Sequence, residues 1–387
     1  EAKQLKEHVH LQEEAEKRDH RKLGRELGLF MTHEYSPGSP FYLPKGTIVY
    51  MTLLNFIREE YKKRGYMEVI TPLLYDKELW VTSGHWDHYK NNMFFTESEG
   101  KLFSLKSMNC PSHCLIYKNS AHSYRELPLR IADFAPLHRN ELSGTLTGLT
   151  RVRKFSQDDS HIFCTPEQLT SELHGLLEFV KFVYKDTFGM DYHIELSTRP
   201  EKYLGDIAVW TKAEETLAST LKKLGMSFKV NPGDGAFYGP KIDIHVKDSL
   251  GRTWQCATIQ LDFQLPARFE LVYEGSDGKQ HTPVIIHRAI LGSLERFMGC
   301  LIEHYAGKFP LWLNPNQVII LPIADRHAAY AKKAALKMSE AGLRVAVDES
   351  AETTNKKIRE AQLAQYNYIL VVGDAEEKNG TVNVRTR

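Results

Sequence analysis

Hydrophobic and polar residues recur along this chain with two different periods. In the segment 48–65 apolar residues return every three or four positions with charges between them, which predicts an amphipathic helix that Gly65 caps. Met67–Pro72 follows as a predicted strand closed by proline. The helical period returns in segments 167–189 and 206–224.

Strict alternation of apolar and polar residues marks the middle of the chain. It is typical of antiparallel strands with one packed face and one open face, and it runs through segments 228–230, 241–246 and 254–262. Segment 192–197 is predicted as a further strand. The segment that begins at His287 reads first as a strand and then as a helix. Together these patterns predict an α+β fold, in which an antiparallel sheet is flanked by helices.

The pattern changes near residue 310. Short apolar strands then alternate with helical segments up to residue 384, which is the βαβ pattern of a small, mostly parallel sheet with helices on its faces. We therefore predict a large domain over 20–310 and a small α/β domain over 311–387, whose C-terminus stops without a final helix. Residues 1–19 are charged and predict an exposed helix or linker.

Composition limits the partners and the compartment. The 50 Lys and Arg residues nearly balance 49 Asp and Glu, so a nucleic acid would have to be bound by local patches. Five cysteines with no C-x-x-C pair argue against a disulfide framework and fit a reducing compartment. No apolar run reaches the length of a transmembrane helix, so no membrane partner is expected. These features favour the cytoplasm and leave an organellar location open.

The densest candidate chemistry lies in His138–Phe163. A predicted strand–loop–strand hairpin there would direct Arg139, Arg151 and Arg153 toward one ligand, and planar, always-charged guanidinium groups suit a phosphate. Phe155 offers a stacking face. From the pattern alone, a solvent-exposed hairpin held by cross-strand ion pairs explains these residues equally well.

Two further stretches combine histidine with aromatic residues or cysteine. The block TSGHWDHYKNNMF has the composition of a binding surface more than of a core. Cys110, His113 and Cys114 lie close together, which suits a metal, but no second tight pair follows and a zinc knuckle is therefore not predicted. A buried thiol and a capping histidine explain the second stretch as well.

Several sequence motifs of this chain resemble those of a known family. Arg139-Asn-Glu141 followed by RVRKF is similar to motif 2 of the class II aminoacyl-tRNA synthetases. The predicted helix 48–65 and the strand that ends at Pro72 resemble motif 1 of that class, and Gly292 with Arg296 resembles motif 3. A resemblance to the threonyl-tRNA synthetases in particular lies in the sequence motifs SMNCPSH, LPLRIADF, HRNELSG, QDDSHIF, LSTRPEKY, GAFYGPK and IHRAILGSLERF. The likeness runs from about residue 18 to the last residue. It departs from the family wordings PMNCPGH and DDAH at positions that are not ligands.

The resemblance implies activation of L-threonine by ATP to threonyl-adenylate, and transfer of the threonyl group to the 3′ end of tRNA(Thr). It implies a homodimer formed through the motif 1 region, an anticodon-binding small domain, and Mg²⁺ with ATP. Arg139 would bind the α-phosphate, Arg296 the γ-phosphate, and Phe155 the adenine. The full set of ATP ligands that it implies is Arg139, Glu141, Arg151, Phe155 and Arg296.

The resemblance also implies one Zn²⁺ per chain, held by Cys110, His161 and His287. Valine has the shape of threonine, and an apolar pocket rejects such an isostere by only about a hundredfold, whereas zinc can bind the threonine hydroxyl. Asp159 would pair with the substrate ammonium. The other substrate-binding residues implied are Met108, Gln157, Tyr238, Gln260 and Ser293, those assisting catalysis are His85 and Lys241, and those contacting anticodon bases are Glu376 and Arg385.

Two other classes of function are open at this point. A catalytically silent relative that binds tRNA or mRNA as a regulator would be expected to lose the motif arginines or the zinc ligands, and all of these are present. A zinc hydrolase would need a general base beside metal-bound water, for which Asp159 is the candidate. We find no candidate for a hydrolytic editing site and expect none within these residues.

Overall fold

The computed structural model describes residue 9, residues 12–247 and residues 252–387. The predicted N-terminal helix is present from residue 12 to residue 18, and residues 1–8, 10 and 11 lie outside the described part. The helices are, in chain order, α1 (12–18), α2 (His20–Glu26), α3 (Pro44–Lys63), α4 (Glu78–Ser83), α5 (His85–Tyr89), α6 (Cys110–Lys118), α7 (Leu169–Lys181), α8 (Ile207–Lys223), α9 (Gln264–Arg268), α10 (Leu294–His304), α11 (Ala328–Glu340), α12 (Thr354–Leu363) and α13 (Asp374–Asn379).

The strands lie mostly where apolar and polar residues alternate. They are β1 (Phe30–Met31), β2 (Phe41–Tyr42), β3 (Met67–Glu68), β4 (Leu74–Asp76), β5 (Phe95–Ser98), β6 (Lys101–Leu105), β7 (Leu129–Asp133), β8 (Pro136–His138), β9 (Lys154–Cys164), β10 (Tyr192–Ser197), β11 (Phe228–Asn231), β12 (Lys241–Lys247), β13 (Thr253–Asp262), β14 (Tyr273–Glu274), β15 (Gln280–His281), β16 (Val284–Ser293), β17 (Val318–Pro322), β18 (Val345–Val347), β19 (Tyr368–Val372) and β20 (Asn383–Thr386).

Contacts within the chain define two compact units. The larger unit comprises Glu34–Ser39 and Leu54–Cys300, and the smaller unit comprises Glu1–His33, Pro40–Leu53 and Leu301–Arg387. The domain boundaries drawn from the sequence stay predictions.

The larger unit is built on one extended sheet. Its described strands follow the order β11-β10-β12-β13-β16-β9-β7-β3, and β8 pairs with β9. All neighbours are antiparallel except the pairs β10–β11 and β3–β7. The antiparallel prediction for segment 228–230 was therefore wrong, because β11 pairs in parallel with β10 at the edge of the sheet. The predicted α+β class is therefore confirmed.

The alternating pattern explains the two faces of this sheet. Ile242, Ile244 and Ile259 are fully buried on one face, where they pack in the core. Their neighbours Lys241 and Gln260 are paired across β12 and β13 and project to the opposite face, because successive side chains in a strand point to opposite sides. This second face is polar and carries the candidate site.

The predicted surface helices are present and have local causes. Asp206 caps α8, because its carboxylate accepts a hydrogen bond from the Ala208 amide over 2.6 Å. α7 buries its apolar side, including Leu173 and Leu176, and continues through a π-helical turn at Phe182–Thr187. None of the described helices combines the length and apolar character that crossing a membrane requires.

The smaller unit contains the predicted α/β sheet. Its strand order is β18-β17-β19-β20, with β17 parallel to both neighbours and β20 antiparallel to β19. Val318 and Ile320 pack on one side with Ala331 of α11, and Ile319 and Leu321 pack on the other with Ala361 of α12. Helices thus cover both faces of a mostly parallel sheet, as the sequence predicted.

Candidate active site

A cavity of about 640 Å³ opens on the polar face of the large sheet. Strands β9, β13 and β16 supply its floor. Most of the residues that the sequence singled out line it, namely Met108, Cys110, Arg139, Glu141, Arg151, Phe155, Gln157, Asp159, His161, Tyr238, Gln260, His287, Ser293 and Arg296.

One cysteine and two histidines meet at one end of this cavity. The Cys110 sulfur and one ring nitrogen of each of His161 and His287 all lie within 4.8 Å of one another, and all three residues are buried. His161 on β9 and His287 on β16 are directly opposite each other in the sheet register, and their nitrogens Nε2 and Nδ1 are 2.9 Å apart. Cys110 is the first residue of α6. The fold therefore assembles three residues that are far apart in sequence.

The remaining ring nitrogens of the two histidines have buried partners. His161 Nδ1 lies 2.8 Å from His113 Nδ1, and His287 Nε2 lies 2.8 Å from a carboxylate oxygen of Asp262. Such partners fix the orientation of metal-binding histidines. Sequence reasoning grouped His113 with Cys110 by spacing but not as the partner of His161. It missed Asp262, since neither spacing nor pattern links this residue to His287.

The chemistry of this donor set suits zinc. One thiolate and two imidazoles are the ligands of a catalytic zinc site, which keeps an open coordination position. Burial lowers the pKa of His161 well below its ordinary value, so the ring is neutral, as a ligand must be. Burial also raises the pKa of the Cys110 thiol, and a bound cation would favour the thiolate. The residues present therefore fit the ion that the resemblance implies.

Polar groups next to this cluster form a small pocket. The Asp159 carboxylate accepts a hydrogen bond from the Asn109 side-chain amide over 3.0 Å, and burial raises its pKa to about 6. The Tyr238 hydroxyl donates to the Gln260 side-chain oxygen over 2.6 Å, and the Tyr238 ring stacks on His287 with centroids 4.8 Å apart. The Asp159 carboxylate and the hydrogen-bonded side chains of Tyr238 and Gln260 thus lie beside the cluster of one cysteine and two histidines.

Two arginines line the cavity farther from the cluster. Arg296 donates to the carbonyl oxygens of Thr150 and Gln255, each over 2.9 Å. The Arg139 guanidinium lies over the Phe155 ring, 5.0 Å from its centroid. Carbonyl oxygens and an aromatic face hold these groups in place without neutralising their charge, so the cations remain available to an anionic ligand.

The structure corrects the hairpin prediction for one of its three arginines. Arg151 lines the cavity and forms an ion pair with Glu141 over 2.8 Å. Arg153 does not line the cavity, because its guanidinium donates to the Glu141 carbonyl over 2.9 Å and to the Ser143 hydroxyl over 3.2 Å. Arg153 therefore holds the loop rather than pointing at the same ligand.

Two residues expected to assist catalysis lie just outside the cavity lining. His85 is fully buried, and its Nε2 is 3.9 Å from the Cys110 sulfur, whereas Tyr89 of the same segment lines the cavity. Burial lowers the pKa of His85 to about 3, so its ring is neutral at pH 7. The Lys241 ammonium forms ion pairs with Asp243 over 2.7 Å and Asp234 over 3.1 Å. The roles given to these two residues stay predictions.

The two expected anticodon contacts lie in the smaller unit. Arg385 is exposed on β20. The Glu376 carboxylate accepts a hydrogen bond from the Gly373 amide over 3.0 Å, and it thereby caps α13. Glu376 thus has a structural task, whatever its part in binding.

Comparisons with known proteins bear on both units. The description "tRNA synthetase class II core domain (G, H, P, S and T)" matches residues 94–305, and "Anticodon binding domain" matches residues 317–387. Threonine–tRNA ligase 1, cytoplasmic, of Bos taurus is 58% identical over 387 residues, which is 100% of this chain and 53% of the relative. The threonine–tRNA ligase of Caldanaerobacter subterraneus is 54% identical over 383 residues, which is 99% of this chain and 59% of the relative. The chain thus spans about half the length of the curated relatives it matches.

Solved structures give the same picture. The RNA-binding domain of threonyl-tRNA synthetase from Cryptosporidium parvum Iowa II superimposes with a TM-score of 0.93 at 51% identity, covering 95% of this chain and 93% of that one. A putative threonyl-tRNA synthetase from Aeropyrum pernix gives a TM-score of 0.83 at 29% identity, covering 96% and 88%.

Proposed function

Since the chain belongs to the threonyl-tRNA synthetase family of the class II aminoacyl-tRNA synthetases, we propose that it activates L-threonine with ATP and charges tRNA(Thr). The first step would form threonyl-adenylate and pyrophosphate, and the second would transfer the threonyl group to the 3′ end of the tRNA. One observation carries the proposal: Cys110, His161 and His287 share a single cavity with Arg139 and Arg296.

Zinc would be held by Cys110, His161 and His287, one ion per chain. When bound, it supplies a Lewis-acidic site for the amino and hydroxyl groups of threonine, and it serves as a template rather than as an activator of water. Asp159 would bind the substrate ammonium, since a carboxyl group with a pKa of about 6 is ionised at pH 7. The pocket would be completed by Met108, Gln157, Tyr238, Gln260 and Ser293.

The arginines would bind the triphosphate of ATP, which enters with Mg²⁺. Attack of the threonine carboxylate on the α-phosphate spreads negative charge over phosphate oxygens, and preorganised cations stabilise that charge. We assign Arg139 to the α-phosphate, Arg296 to the γ-phosphate and Arg151 to a further contact. Phe155 would stack on adenine, and Glu141 would lie near the adenine amino group. His85 and Lys241, which lie outside the cavity lining, would assist catalysis.

Threonine-dependent exchange of pyrophosphate into ATP tests the proposal directly. A silent tRNA- or mRNA-binding regulator gives no exchange, and a zinc hydrolase gives none either. Exchange with threonine and little with valine supports the synthetase. Absence of exchange from folded, zinc-loaded protein would contradict it.

Exposed apolar residues in the motif 1 region support the proposed homodimer. Ile70 is 90% exposed, and Met67, Leu73 and Leu74 beside it are also exposed. Apolar groups gathered in this way are typical of a subunit interface.

We expect Ile70→Asp to produce monomers, because a charge at the centre of a buried interface is costly. Molar mass from light scattering checks this. Leu142→Asp is the control, since Leu142 is 75% exposed outside that region. A dimer that survives Ile70→Asp would place the interface elsewhere.

The smaller unit would read the anticodon. Base-edge contacts specify sequence while phosphate contacts only position the nucleic acid, so Arg385→Ala should weaken discrimination among anticodons and spare threonine activation. Charging of tRNA(Thr) and of anticodon variants measures this. Arg359→Ala, at an exposed arginine of α12, is the matched control. Equal loss on every tRNA would indicate a phosphate contact at Arg385.

Accuracy toward serine follows from the same pocket. Serine keeps the amino and hydroxyl groups of threonine and lacks one methyl, which is worth only about 1–3 kcal/mol, or roughly 10–200-fold. We propose that no editing site lies within these residues and therefore expect seryl-tRNA(Thr) to form and persist. Pre-formed seryl-tRNA(Thr) is given to this chain alone, and serine release is followed, with threonyl-tRNA(Thr) as the control. Rapid enzyme-dependent release would reveal an editing site.

A further inference from the structure

The pairing of β16 with β9 is interrupted beside the cavity. Ala289 lies opposite Asp159, but the next paired residue of β16 is Ser293, opposite Gln157. Three residues of β16, 290–292, therefore face the single residue Asp158. Such a bulge takes backbone groups out of the ladder and redirects the strand.

Asp158 supplies the hydrogen-bond acceptors that the ladder lacks at this point. One of its carboxylate oxygens accepts from the Ile290 amide over 2.8 Å, and the other accepts from the Leu291 amide over 2.9 Å. All three residues are fully buried. Since a buried amide without a partner keeps its full desolvation penalty, this one carboxylate holds the bulge in its observed shape.

A buried network holds the carboxylate in turn. The Tyr61 hydroxyl donates to Asp158 Oδ2 over 2.6 Å. The Arg288 guanidinium, 4.0 Å from the same oxygen, lies over the rings of Tyr61 and Tyr66 and is hydrogen-bonded to both hydroxyls. Arg288 thus balances the charge of Asp158. The Asp158 side chain points away from that of Asp159 and does not line the cavity, although Arg288 does.

The bulge determines where α10 begins. It ends at Gly292, whose φ is +76°, and a Cβ there would lie 2.4 Å from the Cys256 carbonyl oxygen. Ser293 follows, and its hydroxyl accepts from the Arg296 amide over 3.0 Å at the start of the helix. The Arg296 guanidinium then donates to the carbonyl of Gln255, the residue before Cys256.

We propose that Asp158 is a positioning residue for the nucleotide end of the site: by holding the β16 bulge it places Ser293 and Arg296. The inference rests on the proposed function, which assigns Arg296 to the γ-phosphate of ATP. Asp158 itself touches neither substrate. Its loss should therefore appear chiefly in ATP binding through Arg296, to a smaller extent in threonine binding through Ser293, and not in zinc binding.

Asp158→Asn tests the inference, because it keeps the shape of the side chain and replaces one acceptor oxygen by an amide nitrogen. In threonine-dependent pyrophosphate exchange, the KM for ATP should rise at least about tenfold, since small misplacements of a binding group have effects of this size. The KM for threonine should rise clearly less than that for ATP, by no more than about threefold, since Ser293 is one of several pocket residues. The zinc content should stay unchanged. Hydrogen exchange should accelerate in the peptide that contains Ile290 and Leu291.

Ser160→Ala is the matched control. Ser160 is buried two residues farther along the same strand and on the same face, and its hydroxyl has no hydrogen-bond partner in the described part of the chain. The two KM values, the zinc content and the hydrogen exchange should all stay unchanged in this variant. If Asp158→Asn does not fold, Tyr61→Phe decides, because it keeps the carboxylate and removes one of its donors; a smaller rise, chiefly in the KM for ATP, is expected.

Arg296→Ala separates failure of this inference from failure of the proposed function. If Arg296→Ala raises the KM for ATP and Asp158→Asn does not, the positioning role is overturned and the ATP site stands. If Asp158→Asn raises the KM values for ATP and threonine equally, its role is general to the fold and the inference is overturned. If neither variant changes ATP binding, the ATP site itself is misplaced.

Discussion

Replacing Arg296 by alanine should lower threonine-dependent pyrophosphate exchange by about a hundredfold or more, because losing one preorganised charge or donor costs about 2.7–4 kcal/mol of barrier. Arg296 lines the cavity, and the carbonyls of Thr150 and Gln255 hold its guanidinium in place. Arg139→Ala should have an effect of the same order, since its guanidinium is held beside Phe155 in the same cavity.

Arg153→Ala is the matched control for both variants. Arg153 belongs to the same loop as Arg139 but binds the Glu141 carbonyl and the Ser143 hydroxyl outside the cavity lining. It should lose only a fewfold in exchange. Circular dichroism would establish that all three variants are folded. A loss of only a fewfold in Arg139→Ala and Arg296→Ala would mean that ATP binds elsewhere.

Removal of the Cys110 thiol should abolish both zinc binding and threonine activation. Protein purified without added metal should carry about one zinc per chain by elemental analysis, as expected for three protein ligands with an open position. Cys110→Ala leaves only His161 and His287 for the ion. Because the proposed function makes threonine recognition depend on the ion, exchange should fall with the zinc content across preparations.

Cys114→Ala is the control for this prediction. Cys114 lies one turn farther along α6 and is buried in the same apolar cluster as Cys110, but it does not belong to the group that Cys110 forms with His161 and His287. Its variant should keep zinc and exchange. Asp262→Asn, which alters the partner of His287, should weaken zinc binding by about 10–100-fold. Full threonine activation by metal-free protein would contradict the zinc assignment.

Local patterns were enough to predict most of the secondary structure. The helical period predicted α8 within a few residues of its observed ends, and it predicted α7 together with the π-helical turn at Phe182–Thr187 that follows it. Alternation predicted β12 and β13. Helix and strand periods arise from neighbouring residues, so the chain reveals them without a partner segment. The mostly parallel sheet of the smaller unit was predictable for the same reason, because short strands alternate with helices there.

The candidate site was predictable only through sequence motifs shared with a known family. Nothing in spacing connects Cys110 with His161 and His287, and the structure brings them within 4.8 Å of one another through strand register and the start of α6. The hairpin pattern alone treated Arg151 and Arg153 alike. In the structure Arg151 lines the cavity, whereas Arg153 holds the loop. The path of the loop determines which groups each guanidinium can contact.

The sequence by itself determined the elements, the two kinds of sheet and the residue types that the chemistry needs. Only the tertiary structure decided which side chains are buried beside which, as with His85 against Cys110, His113 against His161 and Asp262 against His287. The bulge at residues 290–292 also depends on it, since three residues of one strand oppose one residue of another. Pairing of this kind is set by contacts between segments more than a hundred residues apart, and local periodicity carries no information about them.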